Sequence, residues 1–194
     1  MPEYRRHLPH LQPEGATLFL TWRLHGSIPE ARRIALELDP RPGYRFVAAD
    51  RELARVGGVR HLANPRIAGF IAYVLSAGQI ERKFYELHAW VVMPNHVHVL
   101  MTPTLDVSKI TRWVKGSTAR EANRILGLTG TRFWQEETWD HWVRNGAEFR
   151  KIVRYIEENP VTAGLVAAAE DWPWSSAAKT SEARQDRPFG LSGF

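Results

Sequence analysis

The 194-residue chain has no cysteine, which excludes disulfides, zinc–thiolate sites and thiol catalysis together. It has no run approaching the ~18 apolar residues of a membrane span. Its first residues, Met1-Pro2-Glu3-Tyr4-Arg5-Arg6-His7, lack the apolar core of a secretory leader. These absences make a cytoplasmic protein with no membrane partner the expectation. No internal repeat and no second domain is visible, so residues 1–194 are expected to form one domain. Acidic side chains are in mild deficit: 21 stand against 26 basic ones, for a net charge of +5. That excess tilts toward an anionic partner such as nucleic acid without naming one. The 44% hydrophobic content is ordinary for a globular chain long enough to bury a core.

Local patterning divides the chain into strands and helices. Residues 16–24 (Ala-Thr-Leu-Phe-Leu-Thr-Trp-Arg-Leu) are rich in strand formers and follow the turn signal Pro13-Glu14-Gly15. Residues 26–65 are punctuated by Pro29, Pro40, Pro42, Gly57 and Gly58. They read as a short helix over 31–38 followed by loop, a long connection or insertion. A helix starting with proline fits 65–75. Residues 84–93 and 96–101, joined at Pro94-Asn95, form a β-hairpin pattern. His88, beside Trp90, reads as a packed histidine. A helix over 107–126 places Ile110, Val114, Thr118, Ala122 and Ile125 inward on a wheel of ~100° per residue. Residues 131–144 are aromatic-rich and extended, as a strand or an ordered loop. A last helix over 147–158 buries Phe149, Ile152, Val153 and Ile156, and is expected to stop at Asn159 because Pro160 follows. Residues 177–194 read as a mobile tail.

The chemistry concentrates in Pro94-Asn95-His96-Val97-His98-Val99-Leu100. Side chains two apart on a strand share a face, so His96 and His98 project together while Val97 and Val99 bury the other side. Paired imidazoles begin a divalent-metal site, or else form a solvated strand face. Tyr155 and Asn159, four apart, share one helix face at the edge of the apolar stripe. They read either as packing and termination residues or as a nucleophile and an amide ligand. A cation held by two imidazoles and an amide oxygen can polarise a phosphodiester, and a tyrosine hydroxyl can attack it in line. On the 107–126 helix, Lys109, Arg112, Lys115, Arg120 and Arg124 fall opposite the apolar stripe with Trp113 among them, against the single acid Glu121. That arc is either a solvated face or a phosphate-contacting surface with Trp113 available for base stacking.

The motif blocks resemble the IS200-like single-tyrosine transposases, and in particular the REP-associated tyrosine transposases. The resemblance rests on Gly15–Thr21, His88–Leu100, Phe133-Trp134-Gln135, Asp140–Arg144, Tyr155–Val166 and Trp174-Ser175-Ser176, in the family's order along nearly the whole chain. It implies a compact α/β (α+β) fold: a ferredoxin/RRM-like antiparallel sheet with helices packed on it and His-x-His on a central strand. It implies a metal-dependent nuclease and transferase for single-stranded DNA, acting beside palindromic repeat hairpins, as monomer or homodimer. By that resemblance His96 and His98 would bind Mg²⁺ or Mn²⁺, Tyr155 would form a 5′-phosphotyrosine, and Asn159 would complete the metal site. Two other readings stand beside it: a non-catalytic hairpin-binding protein on the same fold, and a small-phosphodiester metallohydrolase in which Tyr155 is structural. The 26–65 stretch departs from minimal members of the family by its length.

Overall fold

A computed structural model describes residues 15–54 and 58–179. The four strands, β1 (Leu18–Arg23), β2 (Tyr85–Val92), β3 (His96–Pro103) and β4 (Trp139–Trp142), form one antiparallel sheet in the order β2-β3-β1-β4. The helices are α1 (Glu30–Leu38), α2 (Pro42–Ala54), α3 (Pro65–Ile80), α4 (Val107–Leu126) and α5 (Gly146–Thr162). With α1 and α2 set aside, the order is β-α-β-β-α-β, the split βαβ arrangement expected from the sequence, followed by α5. Central strand β3 carries both histidines.

Strand alternation sorts the sheet into two faces. Leu18, Leu20, Trp22, Val97, Val99 and Met101 join Ile67, Ile71, Ile110 and Val114 of α3 and α4 in the larger core. Phe19, Ala89, Val91, Met93 and Leu100 meet Ile152 and Ile156 of α5 on the opposite face. His96, His98 and Thr21 share the strand parity of this second face, so α5 is the helix that overhangs the histidines.

The helix ends follow local chemistry. Asn64 accepts from the Arg66 N–H ahead of Pro65, Asp106 from those of Ser108 and Lys109, and Asn145 from that of Glu148. Gly127, at φ 69°, closes α4 with its N–H on the Asn123 and Arg124 carbonyls. The free edge of β2 is covered by residues 174–176, where Val92 N–H donates to the Trp174 carbonyl and Ser176 N–H to the Trp90 carbonyl.

Two expectations are corrected. Residues 42–54, read as loop, form α2, which the proline and glycine at its very start disguise. α5 does not stop at Asn159 but continues through Pro160 to Thr162. Pro160 is buried, and the carbonyls of Asn159, Pro160 and Val161 are taken by the N–H groups of Ala163, Leu165 and Gly164. The ring therefore removes one ladder donor without orphaning the turn that follows. The expected tail from residue 177 onward lies mostly outside the described residues.

Candidate metal and nucleophile centre

His96 and His98 are fully buried at the start of β3, and their side chains are held by different partners. His96 Nδ1 lies 2.7 Å from Asn95 Oδ1. That oxygen only accepts, so Nδ1 carries the proton and Nε2 presents a lone pair. His98 Nδ1 lies 2.7 Å from Thr21 Oγ1 on the neighbouring strand. The two Nε2 atoms are then 3.1 Å apart, pointing at one spot. Outer partners that orient metal-binding imidazoles in this way are the usual supporting shell of such a site. Burial, with His98 adding to it and Asp50 opposing, brings His96 down to about 3, so it stays a neutral ligand at ordinary pH.

The third group at this spot is Asp50 of α2, which the sequence reading did not single out. Its Oδ1 lies 3.2 Å from His98 Nε2 and 3.8 Å from His96 Nε2. Ligand atoms of the three residues all fall within 4.8 Å of one another, a group able to hold a metal ion. The carboxyl is drawn down to about 2: burial resists ionisation, but the His98 hydrogen bond, both imidazoles and the Tyr155 hydroxyl outweigh it. No periodicity links position 50 to β3, and its one sequence signal is an acid in the middle of an unexplained connection.

Tyr155 reaches the same carboxylate from α5, its hydroxyl donating to Asp50 Oδ2 at 2.6 Å. Its ring stands edge-on to His98, with centroids 5.5 Å apart, and to Phe19 at 5.9 Å. Burial first, then the charge and hydrogen bond of Asp50, hold this phenol well above its ordinary pKa, while a hydrogen bond from Asn159 works the other way. Asn159 is buried one turn along α5 from Tyr155. The structure thus brings His96, His98, Tyr155 and Asn159 together in one chain and adds Asp50.

The α4 residues are not part of this assembly. α4 packs with α3 on the other face of the sheet. Lys109, Arg112, Arg120 and Arg124 are exposed there, with Arg124 bound to Glu121 at 2.6 Å. Lys115 is half-buried instead, its Nζ donating to the carbonyls of Gln135 and Glu136 and to Thr138 Oγ1 at 2.8, 2.9 and 3.3 Å. Trp113 packs edge-on against Phe84 at 5.3 Å, at the margin of the larger core. These two side chains serve the fold in this structure. His88, as expected, is packed, with Nε2 2.8 Å from Thr102 Oγ1 and its ring against Phe149.

Fold and site together define a class: an antiparallel α/β sheet whose paired histidines face a helix-borne tyrosine. Residues 65–159 match the family model described as Transposase IS200 like. A REP-associated tyrosine transposase of Escherichia coli (strain K12) is 37% identical over 93 residues, 47% of this chain and 54% of that protein. A solved structure, described as a REP-associated tyrosine transposase bound to a REP hairpin, matches with a TM-score of 0.53 and 27% identity, over 90% of this chain and 82% of that one. Residues 65–159 thus carry the pattern of the IS200-like transposase family, and the resemblance to its REP-associated tyrosine members is borne out. The chain spans about half the length of the curated relatives it matches.

Proposed function

We propose that the chain is a metal-dependent endonuclease and transesterase for single-stranded DNA, cleaving and rejoining strands beside repeat hairpins. One observation carries this reading: the Tyr155 hydroxyl and both imidazole Nε2 atoms converge on a single carboxylate within one chain. The relatives' REP association and the hairpin bound to the solved neighbour support the substrate class.

The residues at the centre fit a hard divalent cation. They offer imidazole nitrogen and carboxylate oxygen, and Asp50 Oδ1 is buried with no hydrogen-bond partner of good geometry. His96 and His98 would hold Mg²⁺ or Mn²⁺, which supplies Lewis-acid polarisation of the phosphate and positive charge beside the phenol. The chain's own groups do the positioning. Asn95 and Thr21 hold the imidazoles, while Asp50 holds the Tyr155 oxygen.

Tyr155 Oη then attacks phosphorus, its proton leaving by way of the hydrogen bond to Asp50 Oδ2 and on to water. The O–P bond forms, the P–O3′ bond breaks, and the departing 3′-oxygen takes up a proton from water, so none is gained or lost overall. The products are a 5′-phosphotyrosine and a free 3′-hydroxyl. Because the adduct is still a phosphodiester, a 3′-hydroxyl can attack it and restore the strand without an external energy source. Tyr155 reaches the histidines of its own chain, which supports cleavage in cis by a monomer or by each half of a homodimer. Lys109, Arg112, Arg120 and Arg124 on α4 would contact hairpin phosphates, away from the cleavage centre.

The test uses labelled single-stranded hairpin oligonucleotides with Mn²⁺ or Mg²⁺, resolved on a denaturing gel. A covalent protein–DNA adduct in wild type and none in Tyr155→Phe is the expected result. Tight binding without an adduct would instead make the chain a hairpin-binding protein. Turnover of small phosphodiesters with no adduct would make it a hydrolase with a structural tyrosine.

A further inference from the structure

The 26–65 connection reads from the sequence as a long link, yet among the described residues it delivers the carboxylate that meets both imidazoles. α2 is fastened there by its last turn. Asn95 Nδ2 donates to the Leu53 carbonyl at 2.8 Å, and Leu53 is itself buried. Asp50 lies three residues before Leu53 and so shares its helix face. Arg32 of α1 pairs with Glu52 of α2 at 3.3 Å. One side chain, Asn95, therefore fixes both the His96 tautomer, through Oδ1, and the seat of α2, through Nδ2.

The atoms facing one another leave a specific deficit. His96 Nε2 is an acceptor, because its proton sits on Nδ1 against Asn95. Asp50 Oδ1 is an acceptor whose nearest polar neighbour, His98 Nε2 at 3.2 Å, is not aligned for a full hydrogen bond. Asn159, the amide expected to complete the site, is buried on α5 one turn beyond Tyr155. Converging acceptors in a buried place are stabilised by a cation, and Mg²⁺ and Mn²⁺ favour carboxylate oxygen over a neutral amide.

We infer that Asp50 is the third protein ligand of the metal centre and the positioning residue of Tyr155, one oxygen serving each, so that docking of α2 assembles the site. This rests on the metal-centre reading above, but it assigns the third position to a different residue on a different element. It also makes the connection a working part of the centre: seating of α2 and loading of the cation favour each other.

Manganese binding tests the assignment separately from cleavage. Mn²⁺ affinity is measured by titration calorimetry on the full chain and on Asp50→Ala, Asp50→Asn and Asn159→Ala, with far-UV circular dichroism to verify folding. Asp50→Asn keeps the volume of the side chain should the alanine variant not fold. The expected result is a loss of about tenfold or more in Mn²⁺ affinity for both Asp50 variants, and little change for Asn159→Ala. Hydrogen exchange over residues 42–54 should slow on Mn²⁺ addition in wild type and not in Asp50→Asn. Loss of affinity in Asn159→Ala with none in the Asp50 variants overturns the assignment, as does exchange in α2 that ignores Mn²⁺. If wild type binds Mn²⁺ through Asp50 yet forms no adduct, the transesterase reading fails and this assignment stands. If wild type forms the adduct while Asp50→Asn binds Mn²⁺ normally, the reverse holds.

Discussion

Removing one oxygen, Tyr155 Oη, takes away the proposed nucleophile and leaves the ring packed against Phe19 and His98. Tyr155→Phe should therefore lose all covalent adduct while retaining hairpin affinity, read by gel and by fluorescence anisotropy on the same oligonucleotide. A surviving adduct would remove Tyr155 from the chemistry. Asn95 offers a second residue-scale prediction, because one side chain holds both His96 and α2. Asn95→Ala should weaken Mn²⁺ binding by about 10- to 100-fold, the usual effect of losing an outer partner of a metal-binding imidazole. Unchanged affinity in a folded variant would show that packing alone orients His96. At this scale the sequence reading succeeded where spacing is local. His96 and His98 are two apart on a strand, and Tyr155 and Asn159 are four apart on a helix. Asp50 escaped because it meets His98 across 48 positions and Tyr155 across 105, separations that no strand or helix period encodes.

Elements whose patterns repeat were legible: the β2–β3 hairpin and α4 stand where alternation and the apolar stripe put them. Elements defined by what they touch were not. β4 has only four residues and gains its identity from pairing with β1, and α2 hid behind a proline and glycine at its own start. The basic arc of α4 looked uniform on a helical wheel, but Lys115 differs from its neighbours by reaching the 135–138 segment. Lys115→Met should consequently lower stability by about 1 kcal/mol, after discounting for its partial exposure, and leave the salt dependence of DNA binding unaltered. Chemical denaturation and a salt titration of the same variant decide the matter; a flattened salt slope at full stability would return Lys115 to the phosphate-contacting surface. In α3, Gly78 faces Tyr85, whose hydroxyl donates to the buried Leu75 carbonyl at 2.8 Å. A Cβ there collides with the tyrosine ring and hydroxyl, so Gly78→Ala should cost about 1–3 kcal/mol through overpacking and displacement of that bond.

The whole molecule is two-sided. The sheet separates the exposed basic surface of α4 from the histidine and tyrosine centre, and each face has its own apolar cluster and its own helices. A substrate that uses both must bend around the sheet, with duplex phosphates on one face and a single strand delivered to the other. A hairpin with a single-stranded flank has that form, which ties the proposed substrate to the architecture as well as to the site. Recognition and cleavage should then be separable by mutation. Lys109, Arg112 and Arg120 are exposed on α4, which packs on the sheet face opposite the one that carries the histidines. Replacing all three with alanine should weaken hairpin binding and flatten its salt dependence by up to about 0.9 for each phosphate no longer neutralised. Adduct formation on a short flank-only oligonucleotide, at concentrations that bypass hairpin recognition, should be unchanged. If the triple variant keeps its salt slope, α4 is a solvated face and the hairpin must dock elsewhere. If it loses flank-only cleavage as well, the two faces are coupled through the sheet, and binding and chemistry are one event.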